Sequence, residues 1–136
     1  MEPTSNVELV VGTEPVAVIT PTPDPVDEKI TYADFAKLKI VIGTILSVEV
    51  VPDADKLLKL LVLVGEEEPR QILSGIREYF ADPQSLVGRQ CPFLINLSPR
   101  VIRGLESDGM ILAASHDGVL ALLQPHVPVP AGLGVK

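Results

Sequence analysis

The stretch Ile40–Val51, IVIGTILSVEVV, decides the fold. It is a run of Val, Ile and Leu with one glycine and few polar residues, long for a strand. Alternation would put Ile42, Leu46, Val48 and Val50 on one face and Ile45 and Val51 on the other. Gly43 inside the run suggests a bulge or sharp coil. A long first strand that bends can belong to both sheets of a small closed barrel.

Downstream, Pro52–Lys56 is a polar turn, and Leu57–Val64 reads as a second strand with Lys59 outward. The acidic tip Gly65–Pro69 leads into a third strand, Arg70–Ser74, which Gly75 ends. Ile76–Phe80 and Pro83–Leu86 read as short helical turns, stopped by Gly88. Gln90–Leu97 is a fourth strand and Met110–Ser115 a fifth. His116-Asp117-Gly118 then turns the chain into Val119–Leu123, and residues 125–136 read as loop. Three strands, a small helix and two more strands is the order of an all-β, five-stranded oligonucleotide/oligosaccharide-binding (OB) barrel with short helices. The strands beyond that minimum are C-terminal appendages that cap the barrel or form an interface.

Upstream, Thr31 is a good helix N-cap with Asp34 three residues on, so a helix is expected over 31–37, its Phe35 plugging one end of the core or a subunit contact. Residues 1–28 are rich in Val, Thr and Pro, and Pro21, Pro23 and Pro25 alternate. That composition predicts a flexible tail ahead of one domain over 29–136. Hydrophobic residues make up 46% and aromatics 4%, so the core must be built from aliphatic side chains.

The net charge is −7, which argues against a general nucleic-acid binder with a basic surface. Residues 1–26 hold Glu2, Glu8, Glu14 and Asp24 and no base, which leaves the remainder at −3. A local cationic groove can survive there, because exposed charges farther apart than a Debye length of about 8 Å are largely screened. Cys91 is the single cysteine, excludes an intrachain disulfide, and reads as a small buried hydrophobe. No secretory signal precedes the domain and no apolar run approaches the ~20 residues of a membrane span. These features fit a cytoplasmic protein.

The most informative polar stretch is Asn96–Ala114, NLSPRVIRGLESDGMILAA. Arg100 and Arg103 stand in a loop with Pro99 and Gly104; Ser107-Asp108-Gly109 makes a second turn, and Met110 opens an apolar run. Guanidiniums pair with phosphate oxygens or stack on bases, a hydroxyl can reach a base edge, and a thioether can pack on a base face. The plainer alternative makes Met110 a core residue and the arginines ordinary surface charges. Chemistry for catalysis is missing. There is no phosphate-cradling glycine motif, His116 and His126 lack metal-ligand neighbours, and Ser115-His116-Asp117 are adjacent in a turn where their side chains diverge. Asp53-Ala54-Asp55 starts like a calcium loop but lacks its glycine and closing glutamate. No metal, no cofactor and no enzyme are expected.

The chain from about Ile30 to Lys136 resembles the tRNA-binding domain of structure-specific tRNA-binding proteins, which also ends many bacterial methionyl-tRNA synthetases and eukaryotic multisynthetase cofactors. The matching pieces are ITYADFAKL (30–38), PDADKLLKL (52–60), RQILSGI (70–76), NLSPRVIRGLESDGMILAA (96–114) and GVLALLQPHVPVPAGLGV (118–135). The resemblance implies an OB barrel with appended strands, often homodimeric, that recognises tRNA shape near its corner. It implies phosphate contacts at Lys56, Lys59 and Arg77, loop contacts at Asn96, Arg100 and Arg103, and base contacts at Ser107 and Met110. For some of these a simpler role stands beside it: Lys56 covering the barrel mouth with its stem, Arg77 a helix-surface charge, Asn96 a tie from side chain to backbone. The family's arginine before the first-strand glycine is replaced by Val41, so one cation is lost.

The expectation is a stand-alone, homodimeric, non-catalytic tRNA-binding protein that assists an aminoacyl-tRNA synthetase, such as methionyl-tRNA synthetase, in trans. Alternatives are a piece of a larger synthetase with the Pro-rich tail as its linker, an export-chaperone-like dimeric barrel that binds unfolded polypeptide, and a dimerisation domain that has lost RNA binding.

Overall fold

The computed structural model of the protein describes residues 28–136. The expected tail lies outside the described residues, apart from its last position. Helix α1, Tyr32–Ala36, is capped as its sequence implies: the Asp34 amide donates to Thr31 Oγ1 at 3.2 Å and the Thr31 amide to Asp34 Oδ2 at 3.3 Å. Its apolar side is not a plug for the core. No residue of α1 is buried, and Phe35 is half-covered beside the Tyr32 ring, 6.3 Å away between centroids.

Strand β1, Ile40–Val50, organises the barrel. Its first half pairs antiparallel with β4, Gln90–Leu94, from Ile40↔Leu94 to Thr44↔Gln90. The second half pairs with β2, Leu58–Leu63, from Thr44↔Leu63 to Val50↔Leu58. One strand therefore serves two ladders. β2 continues to β3, Arg70–Ser74, and β4 to the short β7, Met110–Ile111, giving the order β3-β2-β1-β4-β7. This is the five-stranded antiparallel, near-closed barrel expected of the sequence.

The face assignment of β1 needs correction. Val41, Gly43 and Ile45 point inward, a register shift between Ile45 and Ser47 changes the parity, and Val48 then points inward. Leu46 and Val50 are exposed and Ile42 is half-buried. A bulge resets a two-residue repeat, so alternation carried across it fails. Gly43 is not the bulge. A β-carbon there would lie 2.6 Å from Val62 Cγ1 and 2.8 Å from the Phe93 ring, so glycine is what lets the strand pass over the core. The main core joins Val41, Ile45, Leu58, Leu60, Ile72 and Phe93, among others, with Cys91, whose burial pushes its thiol up to about 11. Val41, at the family's arginine position, is thus an inward core residue.

β3 and the chain after β4 meet through mixed hydrogen bonds rather than a continuous ladder. The Asp108 amide donates to the Gln71 carbonyl at 2.8 Å, Gln71 Nε2 to the Glu106 carbonyl at 2.9 Å, and the Leu73 amide to Ser107 Oγ at 3.0 Å. Arg70 braces this seam from inside, donating to the Ile95 carbonyl at 2.7 Å and pairing with Glu66.

Three elements differ from the expected order. The arginine loop is a hairpin, β5 (Arg100–Ile102) paired with β6 (Leu105–Ser107). The expected fifth strand splits after Ile111 into β7 and β8 (Ala113–His116), which pairs with β9 (Val119–Leu122). Residues 133–134 of the presumed terminal loop form β10, which adds to the free side of β1. Gln90 sews this end down, donating to the Val129 carbonyl at 2.6 Å and accepting from the Val129 amide at 3.0 Å.

Candidate functional site

OB barrels bind on the face of their second and third strands, between the loop after the first strand and the loop before the last. Here those loops are residues 51–57 and the segment carrying β5–β6. The first is a compact turn with Asp53 in the left-handed region at φ 63°. The second turns at Arg103-Gly104, both with positive φ (54° and 77°), a two-residue type I′ connection that suits the twist of the flanking strands. A small apolar cluster apart from the barrel core joins them. Val51, Ala54 and Leu73 are buried in it, with Leu57 from the turn and Ile102 and Leu105 from the hairpin packed against them. This cluster lays the hairpin over β3 and brings its tip to the turn.

The result is a recess of about 240 Å3 lined by Asp53, Ala54, Asp55, Lys56, Leu57 and Arg103. Lys56 and Arg103, 47 positions apart in the chain, converge there and both are exposed. No ion pair among the described residues joins the recess carboxylates to its cations.

Arg77 supports the recess from behind. Its guanidinium donates to the Ala54 carbonyl at 3.0 Å and its amide to the Lys56 carbonyl at 3.1 Å, so it holds the turn on both sides of Asp55. Lys59 stands outward on β2, with its ammonium 3.1 Å from Glu49 across the ladder. Arg100 opens the hairpin, exposed and opposite Ser107 in register.

Two expected contact residues are already engaged by backbone groups. Ser107 is 2% exposed; its hydroxyl accepts from the Leu73 amide and donates to the Gly109 carbonyl at 3.3 Å, so it offers no free group to a base. Asn96 accepts from the Lys39 amide at 2.8 Å and donates to the Lys37 carbonyl at 2.7 Å, tying the end of β4 to the segment after α1. Its role is the tie from side chain to backbone that asparagine commonly makes. Met110 is 39% exposed on β7 opposite Leu94 and lines no part of the recess.

The sequence reading missed Asp53 and Asp55 as recess walls. The turn chemistry in PDADK was visible, but which loop it would face was not. It also missed Arg70. That guanidinium is engaged at the seam, and its hydrogen bonds to Glu66 hold the Glu66 carboxyl below the ordinary range and its own protonated form further up.

Two larger recesses lie elsewhere. One, of about 430 Å3, surrounds Arg70 with Glu66, Glu68, Glu106 and Asp108, a lining that repels a polyanion. The other, of about 450 Å3, lies between the start of β4 and residues 124–128.

Residues 40–133 match the family model described as "Putative tRNA binding domain". The chain is 47% identical over 113 residues to a methionine--tRNA ligase of Porphyromonas gingivalis, covering 82% of this chain and 16% of that one. The chain thus spans about one-sixth of the length of that relative. A methionyl-tRNA-synthetase-related protein from Pyrococcus horikoshii superposes with a TM-score of 0.74 at 33% identity, over 80% of this chain and 99% of that one. The chaperone CsaA of Bacillus anthracis superposes with a TM-score of 0.71 at 26% identity, over 80% and 100%.

Proposed function

Because the chain belongs to the tRNA-binding domain family, we propose that it is a non-catalytic protein that binds tRNA by shape and assists an aminoacyl-tRNA synthetase in trans. The observation that carries this reading is the convergence of Lys56 and Arg103, from two different loops, on one recess of an otherwise acidic chain. Arg100 extends the cationic surface along the hairpin, and Lys59 adds a charge that is paired with Glu49. Arg77 holds the turn that carries Lys56, Asn96 ties the end of β4 to the segment after α1, and Met110 offers an exposed thioether on β7. Methionyl-tRNA synthetase is the synthetase that the relatives favour. A homodimer is supported by the exposed Val119, Leu123, Val127 and Leu133 of β9, β10 and the segment between them. The working compartment would be the cytoplasm, where tRNA is found.

The test is binding of unfractionated tRNA across salt from roughly 50 to 200 mM, with wild type and the Arg100→Ala/Arg103→Ala double variant. With about three phosphate contacts the wild-type slope of log affinity against log salt is shallow, roughly −2 to −3, and each lost contact lowers it by about one. Equal affinity and slope for the two proteins removes the hairpin from the interface. The chaperone reading is supported by the likeness to CsaA and by the net negative charge; it predicts binding of unfolded polypeptide with no tRNA binding. Light scattering that shows a monomer at micromolar concentration removes the dimer.

A further inference from the structure

A phosphate alone would pair with Lys56 and Arg103 but leave the two carboxylates of the recess unmatched. Two of its four charged groups, Asp53 and Asp55, repel an anion, and the described ion pairs do not neutralise them. A ligand that satisfies all four must present donors on one edge and acceptors on another. Among nucleobases, guanine does this most fully. N1–H and the N2 amino group form a donor pair that fits one carboxylate, and O6 and N7 form an acceptor pair that fits one guanidinium. Adenine and cytosine offer a single amino donor group with acceptors beside it, and uracil one imino hydrogen between two carbonyls.

We infer that the recess between residues 53–57 and the tip of the β5–β6 hairpin takes one unpaired guanine base, with Asp53 or Asp55 accepting from its N1–H/N2–H edge and Arg103 donating to O6 and N7. This rests on the tRNA reading and adds a base preference to it. The volume, about 240 Å3, falls below the roughly 300–1,000 Å3 of pockets for drug-sized ligands and suits one heterocycle rather than a base pair. Leu57 and Ala54 supply apolar wall, and Lys56 is left for the flanking phosphate. The site is built before the ligand arrives. Arg77 fixes the turn through two carbonyls, and the Val51–Leu73–Ile102–Leu105 cluster fixes the hairpin against it, so little ordering cost remains at binding.

The experiment measures fluorescence anisotropy of the full chain with labelled pentaribonucleotides UUXUU, where X is guanosine, adenosine, inosine or 7-deazaguanosine. Unfractionated tRNA is run in parallel. Guanosine is expected to bind at least about tenfold more tightly than adenosine, since a bidentate contact discriminates by about that factor. Inosine, which lacks the N2 amino group, and 7-deazaguanosine, which lacks N7, each fall between. The Asp53→Asn/Asp55→Asn double variant binds the guanosine and adenosine pentamers with equal affinity. Asparagine tolerates the left-handed backbone at position 53, and both sites are exposed, so the variant keeps the wild-type melting temperature. Equal affinity for all four pentamers, no detectable binding of the guanosine pentamer, or a guanosine preference that survives in the double variant overturns the inference. If tRNA binds wild type while the pentamers are indistinguishable, only the base preference falls. If tRNA fails to bind, the functional reading falls with it.

Discussion

At the seam of the barrel, Arg70 reaches Glu66 at 2.9 Å, the Asp108 carboxylate at 3.5 Å and the Ile95 carbonyl at 2.7 Å, with its side chain 19% exposed. At the recess, Arg103 stands exposed at a turn beside two carboxylates and a lysine, and none of the described ion pairs includes it. Both regions combine arginine with acids near the edge of β3. They differ in what completes the arrangement. The seam closes on itself, because backbone carbonyls and carboxylates from both sides of the junction satisfy the guanidinium. In the recess the backbone groups are tied by Arg77, while the charged residues line the open space and share no ion pair among those described. A satisfied network stabilises the fold; an unsatisfied and preorganised one is suited to a ligand.

This contrast predicts different responses to mutation. The largest effect is Arg70→Ala, which strips the Ile95 carbonyl and two carboxylates of their partner. It should lower unfolding free energy by about 2 kcal/mol in urea melts while leaving the tRNA affinity of the folded fraction unchanged. A loss of affinity with no loss of stability would move Arg70 into the interface and dissolve the contrast. Ser107→Ala leaves the buried Leu73 amide without its acceptor and should cost about 1 kcal/mol, again in stability rather than binding. A selective loss of RNA binding would return the hydroxyl to the base-contacting role first expected of it.

Arg77→Lys keeps the charge but replaces the planar fork that holds the Ala54 carbonyl. Affinity for tRNA should fall by roughly threefold to tenfold, and the fall should largely vanish in a Lys56→Ala background, because coupled residues are not additive. Additive losses would make Arg77 an independent phosphate contact. The smallest effect concerns acid. The Glu66 carboxyl is held below its ordinary value of 4.5 by its hydrogen bonds from Arg70, so its contribution to stability is fully present above that value and is lost as pH falls through the lower, folded-state value. Glu66→Gln should flatten the acid limb of a stability-versus-pH curve by lowering the neutral plateau toward the acid value; an unchanged limb would mean that the pair is screened by solvent.

Much of the barrel could be read from residue order. The third strand, Arg70–Ser74, and the Thr31/Asp34 cap agree with the expected positions, because local chemistry decides both. The inward face of β1 did not follow, since a bulge that only a ladder can reveal reset its parity. Nor did the arginine hairpin. Its turn is Arg-Gly rather than Asn-Gly, its strands are three residues each, and Val101 is 74% exposed, so it carries no alternating apolar signal. Of the site residues, the sequence supplied Lys56 and Arg103 as candidates but could not separate them from Ser107, whose hydroxyl is buried, or from Asn96, whose amide is occupied by backbone.

The residue pattern by itself determined that an aliphatic chain with one long, glycine-interrupted first strand would close into a small barrel, because periodicity and turn chemistry act over a few neighbours. Tertiary structure alone decided which polar groups remain available. Whether a hydroxyl or guanidinium meets a backbone partner depends on segments dozens of residues away, brought into contact only when β3 meets the chain after β4.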